Sequence, residues 1–182
     1  MPETIDHIIS GCPVLAPKEY KLRHDRVGQY IHWVICKQHG AQHTTHWYEH
    51  HPEPVTETEN TTILWDFPIH TDRTIKANRP DIIIKDRKKK ECLLIDVAIP
   101  SDKNTSTKQF EKLSKYKDLE IEVTKLWQLK TQTVPVIIGA LGVITKGVAK
   151  YLDKIPGHPN LQEVQKITLT GTSHILRKAL SM

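Results

Sequence analysis

The strongest constraint on the fold is a pair of short, almost wholly aliphatic runs that carry aspartates at matching places: Asp81-Ile-Ile-Ile-Lys85-Asp86 and Glu91-Cys92-Leu-Leu-Ile95-Asp96-Val97-Ala98. Runs this dense in Ile and Leu, without polar alternation, are the pattern of strands covered on both faces. Arg87-Lys88-Lys89-Lys90 between them has the length and polarity of a turn. An antiparallel hairpin centred on Lys88-Lys89 pairs residue i with residue 177 − i and sets Asp81 directly opposite Asp96. Directly opposed residues project from one sheet face with Cβ atoms roughly 5 Å apart. Two carboxylates at that separation repel inside strands that otherwise bury. Three arrangements offset the repulsion: one carboxylate is protonated, a lysine inserts, or a divalent cation is shared. The competing reading is a loop of odd length, with the carboxylates staggered and solvated at a strand edge.

The elements around the hairpin follow from periodicity and breakers. Residues 4–16 read as a short helix stopped near Cys12-Pro13. Residues 17–38 place Val27, Ile31, Val34 and Ile35 at helical spacing and stop at Gly40. The polar stretch 39–61, with Pro52 and Pro54, reads as a loop, and Thr61 to Ile69 as a further strand. Asn104, Thr105 and Ser106 are candidate N-caps for a helix over 104–117 holding Phe110 and Leu113. Residues 119–129 fit either a continuation of that helix or an alternating strand. Thr133 to Leu141 reads as a strand, and 145–154 and 160–180 as helices parted by Pro156-Gly157-His158-Pro159. The order is helix, three strands, helix, strand, helices: one α/β layered domain.

Composition narrows the function classes. No run approaches the ~18 apolar residues of a membrane span, so an integral membrane protein is not expected. The segment Met1-Pro2-Glu3-Thr4-Ile5-Asp6 has neither the basic nor the apolar region of a secretory signal. Cys12, Cys36 and Cys92 are too few and too far apart for a disulfide scaffold and fit a reducing compartment. Charge is uneven. Residues 1–60 hold 5 Lys/Arg against 8 Asp/Glu, whereas residues 61–182 hold 21 against 13. A basic body favours a polyanionic partner, nucleic acid before membrane.

Chemistry on a phosphodiester also calls for a cation beside the carboxylates. The 104–117 helix offers Lys108, Lys112 and Lys115, and Lys112, Lys115 and Tyr116 share one face by the i, i+3, i+4 rule. A solvated basic face is the plain alternative. Arg79-Pro80-Asp81, fourteen residues, then Asp96 resembles the PD-(D/E)xK signature of restriction-like endonucleases. Val97-Ala98 stands where that signature has its lysine. This departure, with Lys112-Leu-Ser-Lys115-Tyr116 on the following helix, resembles a subset: the endonuclease at the C-terminus of site-specific non-LTR retrotransposon polyproteins. Arg23-His24-Asp25 matches that family's upstream (Lys/Arg)-His-(Asp/Asn) motif, and His7-(four residues)-Cys12 the second half of its zinc knuckle. Val134-Pro135-Val-Ile-Ile-Gly139-Ala-Leu-Gly142 and the C-terminal helices also resemble the family's tail, so the resemblance covers nearly the whole chain.

The resemblance implies an α/β restriction-endonuclease-like core of helix, three strands, helix and strand over 17–142, behind a knuckle remnant at 1–16 and before a helical extension at 143–182. It implies a DNA endonuclease dependent on Mg²⁺ or Mn²⁺, nicking target DNA to prime reverse transcription, in the nucleus. Asp81 and Asp96 would hold the metal, Lys112 or Lys115 would orient water or stabilise phosphoryl charge, and Tyr116 would support the lysine. Arg23, His24 and Asp25 would be auxiliary, and Arg79, Lys88, Lys89 and Lys90 would touch DNA. The knuckle's leading cysteines are missing, so His7 and Cys12 make an incomplete set and Zn²⁺ is not expected. The chain is expected to be a fragment of such a polyprotein without its reverse-transcriptase domain. Its partner is DNA, with element RNA a further candidate. The alternative function is a catalytically inactive nucleic-acid-binding remnant of the same element.

Elsewhere, His39, His43, His46, His50 and His51 read as a solvated loop and Cys36 and Cys92 as packed thiols. Trp33, Trp47, Trp65 and Trp127 read as core or partly buried residues.

Overall fold

The computed structural model describes residues 3–182; Met1 and Pro2, which open the 1–16 segment, lie outside the described residues. A five-stranded mixed sheet runs in the order β1 (Val55–Glu57), β2 (Thr61–Trp65), β3 (Ile82–Asp86), β4 (Glu91–Ala98), β5 (Lys130–Ile137). β1 to β4 are antiparallel to their neighbours, and β5 is parallel to β4. A parallel pair needs a crossover. Here α2 (Thr105–Lys115) and α3 (Lys117–Trp127) supply it. α1 (Lys21–Gln38) precedes the sheet, continuing a helical turn at Ala16–Tyr20, while α4 (Val148–Lys154) and α5 (Leu161–Leu180) follow it.

Side-chain alternation along β3 and β4 sorts the layers. Ile82, Ile84, Leu93, Ile95 and Val97 face a core shared with Val27, Ile31 and Ile35 of α1, Leu152 of α4 and Val164 of α5. Residues 143–182 therefore build the same core as the sheet. Ile83, Cys92 and Leu94 face a smaller core closed by Tyr116, Leu119 and Val123. The aliphatic density of the two strands thus reflects cover on both faces. β5 is an edge strand, so Pro135 within it costs no ladder hydrogen bond to a further strand.

The sequence expectations need four adjustments. Residues 119–127 are helical, and Gln128 turns left-handed to end the helix: Leu119 and Val123 are buried one turn apart while Ile121 is exposed, which strand alternation would not produce. The 39–61 loop contains the short edge strand β1, which pairs Val55 with Leu64 and Glu57 with Thr62. Three residues behind two prolines are too few to show a period. β2 ends at Trp65 rather than Ile69, because Asp66 turns into the left-handed region and its N–H bonds Asp81 O. β5 begins at Lys130 and ends at Ile137, a few residues ahead of the 133–141 run. At α2, Asn104 occupies the N-cap position without a side-chain cap bond, and Phe110 is exposed. No helix among the described residues is long and apolar enough to cross a membrane.

The α4–α5 turn carries a steric requirement. Gly157 has φ +85°, and a Cβ there would sit 2.7 Å from Val34 Cγ1 and 3.0 Å from Val34 O on α1. Both the left-handed backbone and the close approach call for glycine. Gly157→Ala is expected to lower stability by about 1–3 kcal/mol. Urea denaturation checks it: the midpoint falls while the slope stays that of the wild type.

Candidate active site

β3 and β4 pair Ile82 with Ile95 and Asp86 with Glu91, the register in which i meets 177 − i. Asp81 and Asp96 therefore stand opposite one another at the end of the hairpin remote from its turn. Main-chain bonds lock them: the Asp81 N–H donates to Asp96 Oδ1 at 3.1 Å, and the Val97 N–H to Asp81 Oδ2 at 2.7 Å. Asp96 is 3% exposed and Asp81 half-buried. The staggered, solvated arrangement is thereby excluded.

Cations approach the pair from both helical layers. Lys112 of α2 places Nζ 2.6 Å from Asp96 Oδ2. His24 of α1 places Nε2 2.9 Å from Asp81 Oδ2 and 3.1 Å from Val97 O, with Nδ1 2.9 Å from Asp25 Oδ1. Lys21, one turn earlier, pairs with the other oxygen of Asp25. The result is a polar relay in the order Lys21, Asp25, His24, Asp81, Asp96, Lys112, in which the two aspartates are the one like-charged contact.

The relay sets the protonation states. Burial alone would lower the His24 value, but the hydrogen bonds and charges of Asp25 and Asp81 outweigh it and carry the imidazole up to about 10. His24 is therefore an imidazolium at neutral pH and donates from both ring nitrogens. Burial would raise Asp81, yet the His24 bond and charge and the Val97 amide hold it below the ordinary carboxylate range. Asp96 goes the other way: burial first, then the adjacent Asp81 charge, push it up against the pull of Lys112. Burial, then the charges of Asp96 and Asp81, raise Tyr116 as well, so it stays a neutral phenol.

Of the residues read from the sequence, the structure brings together Asp81, Asp96, Lys112, Tyr116, His24 and Asp25. Lys115 is exposed, its Nζ 5.1 Å from the Tyr116 ring centroid, and makes no ion pair with either aspartate. Lys112 is thus the lysine at the carboxylates. Arg79 is exposed and pairs with Asp66 through Nε at 2.8 Å. With Lys21, His24, Asp25, Gly28, Trp65, Asp66 and Asp81 it lines a cleft of about 500 Å³ in front of the site. Lys88, Lys89 and Lys90 lie at the hairpin tip, where Asp86 Oδ1 accepts from the Lys88 and Lys89 amides. Five residues of strand, roughly 17 Å, separate that tip from the aspartates.

Arg23 requires a correction. It is 3% exposed, not surface-accessible, and points to α5 rather than to the carboxylates. Its Nη1 donates to Thr172 Oγ1 at 2.9 Å, and its stem fills the space a Cβ on Gly171 would need. Adjacent helix positions face different directions, so His24 reaches the site while Arg23 is a packing residue whose value burial lowers to about 10. Asp25, expected as an auxiliary residue, lies one remove from the aspartate pair, bonded to it through His24. His7 is exposed, and neither it nor Cys12 belongs to a cluster of three or more ligand atoms among the described residues.

Sequence reasoning missed Lys21, whose signal was the i, i+4 spacing to Asp25 on one helix. It also misjudged His50. That side chain is 5% exposed and lies 2.7 Å from His32, while His43, His46 and His51 are exposed as expected. Cys36 and Cys92 are buried, and the four tryptophans are partly buried. No family model and no curated protein matches the chain.

The His24 value has a direct consequence for pH. The folded state binds this proton more tightly than an unfolded chain, whose imidazole titrates near 6.5. The stability it supplies is therefore fully present below about 6.5 and is lost as pH rises through about 10. Thermal melts in chelator should show the advantage of wild type over His24→Gln shrinking across that window. Nitrogen-15 shifts should still report an imidazolium at about pH 8, and a midpoint near 6.5 would contradict the relay.

Proposed function

We propose that the chain is a metal-dependent endonuclease domain that hydrolyses a phosphodiester of DNA. The observation that carries the reading is the Asp81–Asp96 pair with Lys112 on it, assembled from two strands and a crossover helix. The element order also supports it. An antiparallel β2–β3–β4, a helical crossover and a β5 parallel to β4 agree with the restriction-endonuclease-like core that the sequence resemblance implies.

The donor set fits a hard divalent cation such as Mg²⁺ or Mn²⁺. Two carboxylates on adjacent strands supply oxygens, and their mutual repulsion, expressed in the raised Asp96, is what a shared cation relieves. Such an ion, bound by Asp81 and Asp96, would lower the pKa of attacking water and neutralise developing phosphoryl charge.

The chain's own residues do the positioning. The main-chain bonds from Asp81 and Val97 fix both carboxylates in the sheet. His24, charged and held by Asp25, keeps Asp81 ionised at neutral pH. Lys112 brings a positive charge within 2.6 Å of Asp96, beside the place where a phosphate would dock. Arg79 and Lys21 stand at the rim of the cleft, where a polyanionic backbone would lie. Tyr116 closes the floor and excludes water from the inner side of Asp96.

A supercoiled-plasmid nicking assay tests the proposal. Nicking should require Mg²⁺, vanish in EDTA and vanish in the Asp81→Ala/Asp96→Ala double variant. Lys112→Met should reduce the rate by about 10²–10³, the scale of removing one preorganised charge-stabilising donor. Lys115→Met should leave it near wild type. Cleavage that persists without metal or without the aspartates would sink the assignment. A folded protein that retards DNA and nicks none would instead be the inert binding module, with affinity falling steeply in salt.

A further inference from the structure

On the same helix as His24, two turns on, a second group of polar side chains is buried in the apolar core. His32 and Cys36 lie one turn apart on α1, and His50 comes from the loop behind it. They are 1%, 1% and 5% exposed. His32 Nδ1 is 2.7 Å from His50 Nε2 and 3.5 Å from Cys36 Sγ. All three ligand atoms lie within 4.8 Å of one another, the sole such cluster of His, Cys, Asp and Glu among the described residues.

Hydrogen bonding accounts for this cluster poorly. Two imidazoles and a thiol share one short N···N contact and one weak S···N contact, and His32 Nε2 is buried with no partner at all. No carboxylate or hydroxyl completes the set. Packing does not require it either, because an aliphatic trio would fill the same space without buried polar atoms.

The donor chemistry instead matches a transition metal. Imidazole and thiolate together suit Zn²⁺, whose bonds of about 2.0–2.3 Å put tetrahedral ligands roughly 3.3–3.7 Å apart. The Cys36–His32 separation already falls there, and the His32–His50 separation needs to open by less than about 1 Å. Beside the cluster lies a cleft of about 490 Å³ whose walls include His43, Glu49, His51 and Glu57, so a fourth position is open to water.

We propose that His32, Cys36 and His50 form a zinc site that clamps the 39–54 loop to α1. Trp47 already packs the loop against Tyr30 and Arg26 of α1, and side-chain hydrogen bonds add to this. Gln29 Nε2 donates to His50 O at 2.7 Å, and Trp33 Nε1 donates to Thr44 O at 2.9 Å. A metal joining the loop to the helix would raise folding stability, because binding is linked to folding. The site is distinct from the half-knuckle at His7 and Cys12 and from the oxygen donors Asp81 and Asp96, and it does not depend on the nuclease reading.

Cobalt substitution in the full chain, purified without a polyhistidine tag, tests it. One equivalent of Co²⁺ should give the thiolate-to-metal charge-transfer band and the intense visible bands of four-coordinate cobalt. Both should disappear in Cys36→Ser and in His50→Gln, and both should survive in Cys12→Ser and in Asp81→Ala. Zinc should raise the Tm of wild type and leave that of Cys36→Ser unchanged. If Cys36→Ser fails to fold, His50→Gln keeps the thiol and still decides the question through loss of tight zinc binding. Absence of the charge-transfer band in wild type, or its survival without Cys36, overturns the proposal.

Discussion

Two carboxylates facing each other across a buried hairpin are the constraint on which the rest of the arrangement depends. At this separation, and with Asp96 almost fully buried, neither could remain ionised without compensation. The fold supplies it from opposite sides. α1 brings His24 to Asp81 and the crossover helix α2 brings Lys112 to Asp96. Both helices must be packed before the hairpin's charges are balanced, so the site and the layering of the domain are one structural problem. Cation and anion alternate from Lys21 to Asp81, and the next contact, Asp81 to Asp96, is between like charges, so the two aspartates move in opposite directions. Asp81 receives a fully charged, carboxylate-backed imidazolium. Asp96 receives one lysine against both burial and Asp81.

The lysine's position follows from that geometry. A lysine directly after Asp96 would take the place of Val97, which packs in the larger core. Carried on α2, the ammonium approaches from the other layer and leaves the strand free to pack. Lys112 and Lys115 share a helical face in projection, yet Lys112 reaches Asp96 while Lys115, the last residue of α2, stays in solvent beside the Tyr116 ring. The pair cannot be separated by spacing alone, because side chains three residues apart lie about 60° from one another around a helix, and the packing of the helix decides which reaches the sheet.

What was legible in the sequence was what rests on short-range rules. The hairpin register followed from loop length, and with it the Asp81–Asp96 pairing; apolar periodicity located α1, α4 and α5. What was not legible depends on direction in three dimensions. Arg23 and His24 are neighbours in one motif, but successive helix positions point about 100° apart, so one meets α5 and the other meets β3. The strand-like alternation of Leu119-Glu-Ile-Glu-Val123 is also compatible with a helix that buries Leu119 and Val123 at i, i+4 and leaves Ile121 exposed, and the structure has that arrangement. His50 sat among exposed histidines, and only the return of the loop against α1 buries it.

α1 connects these features. His24, Gly28, His32 and Cys36 follow one another at i+4 steps along a single ridge, with the relay at one end and the imidazole–thiol cluster at the other. Between them Trp65, at the end of β2, lies over Gly28, where an added Cβ would meet its ring at 3.0 Å, and stands edge-on to His32 at 5.6 Å. The same indole forms part of the cleft before Asp81. A clamp at His32 and Cys36 would thus bear on Trp65, and through it on the wall of the cleft, without touching the carboxylates. The small residue at position 28 is what allows sheet and helix to meet this closely.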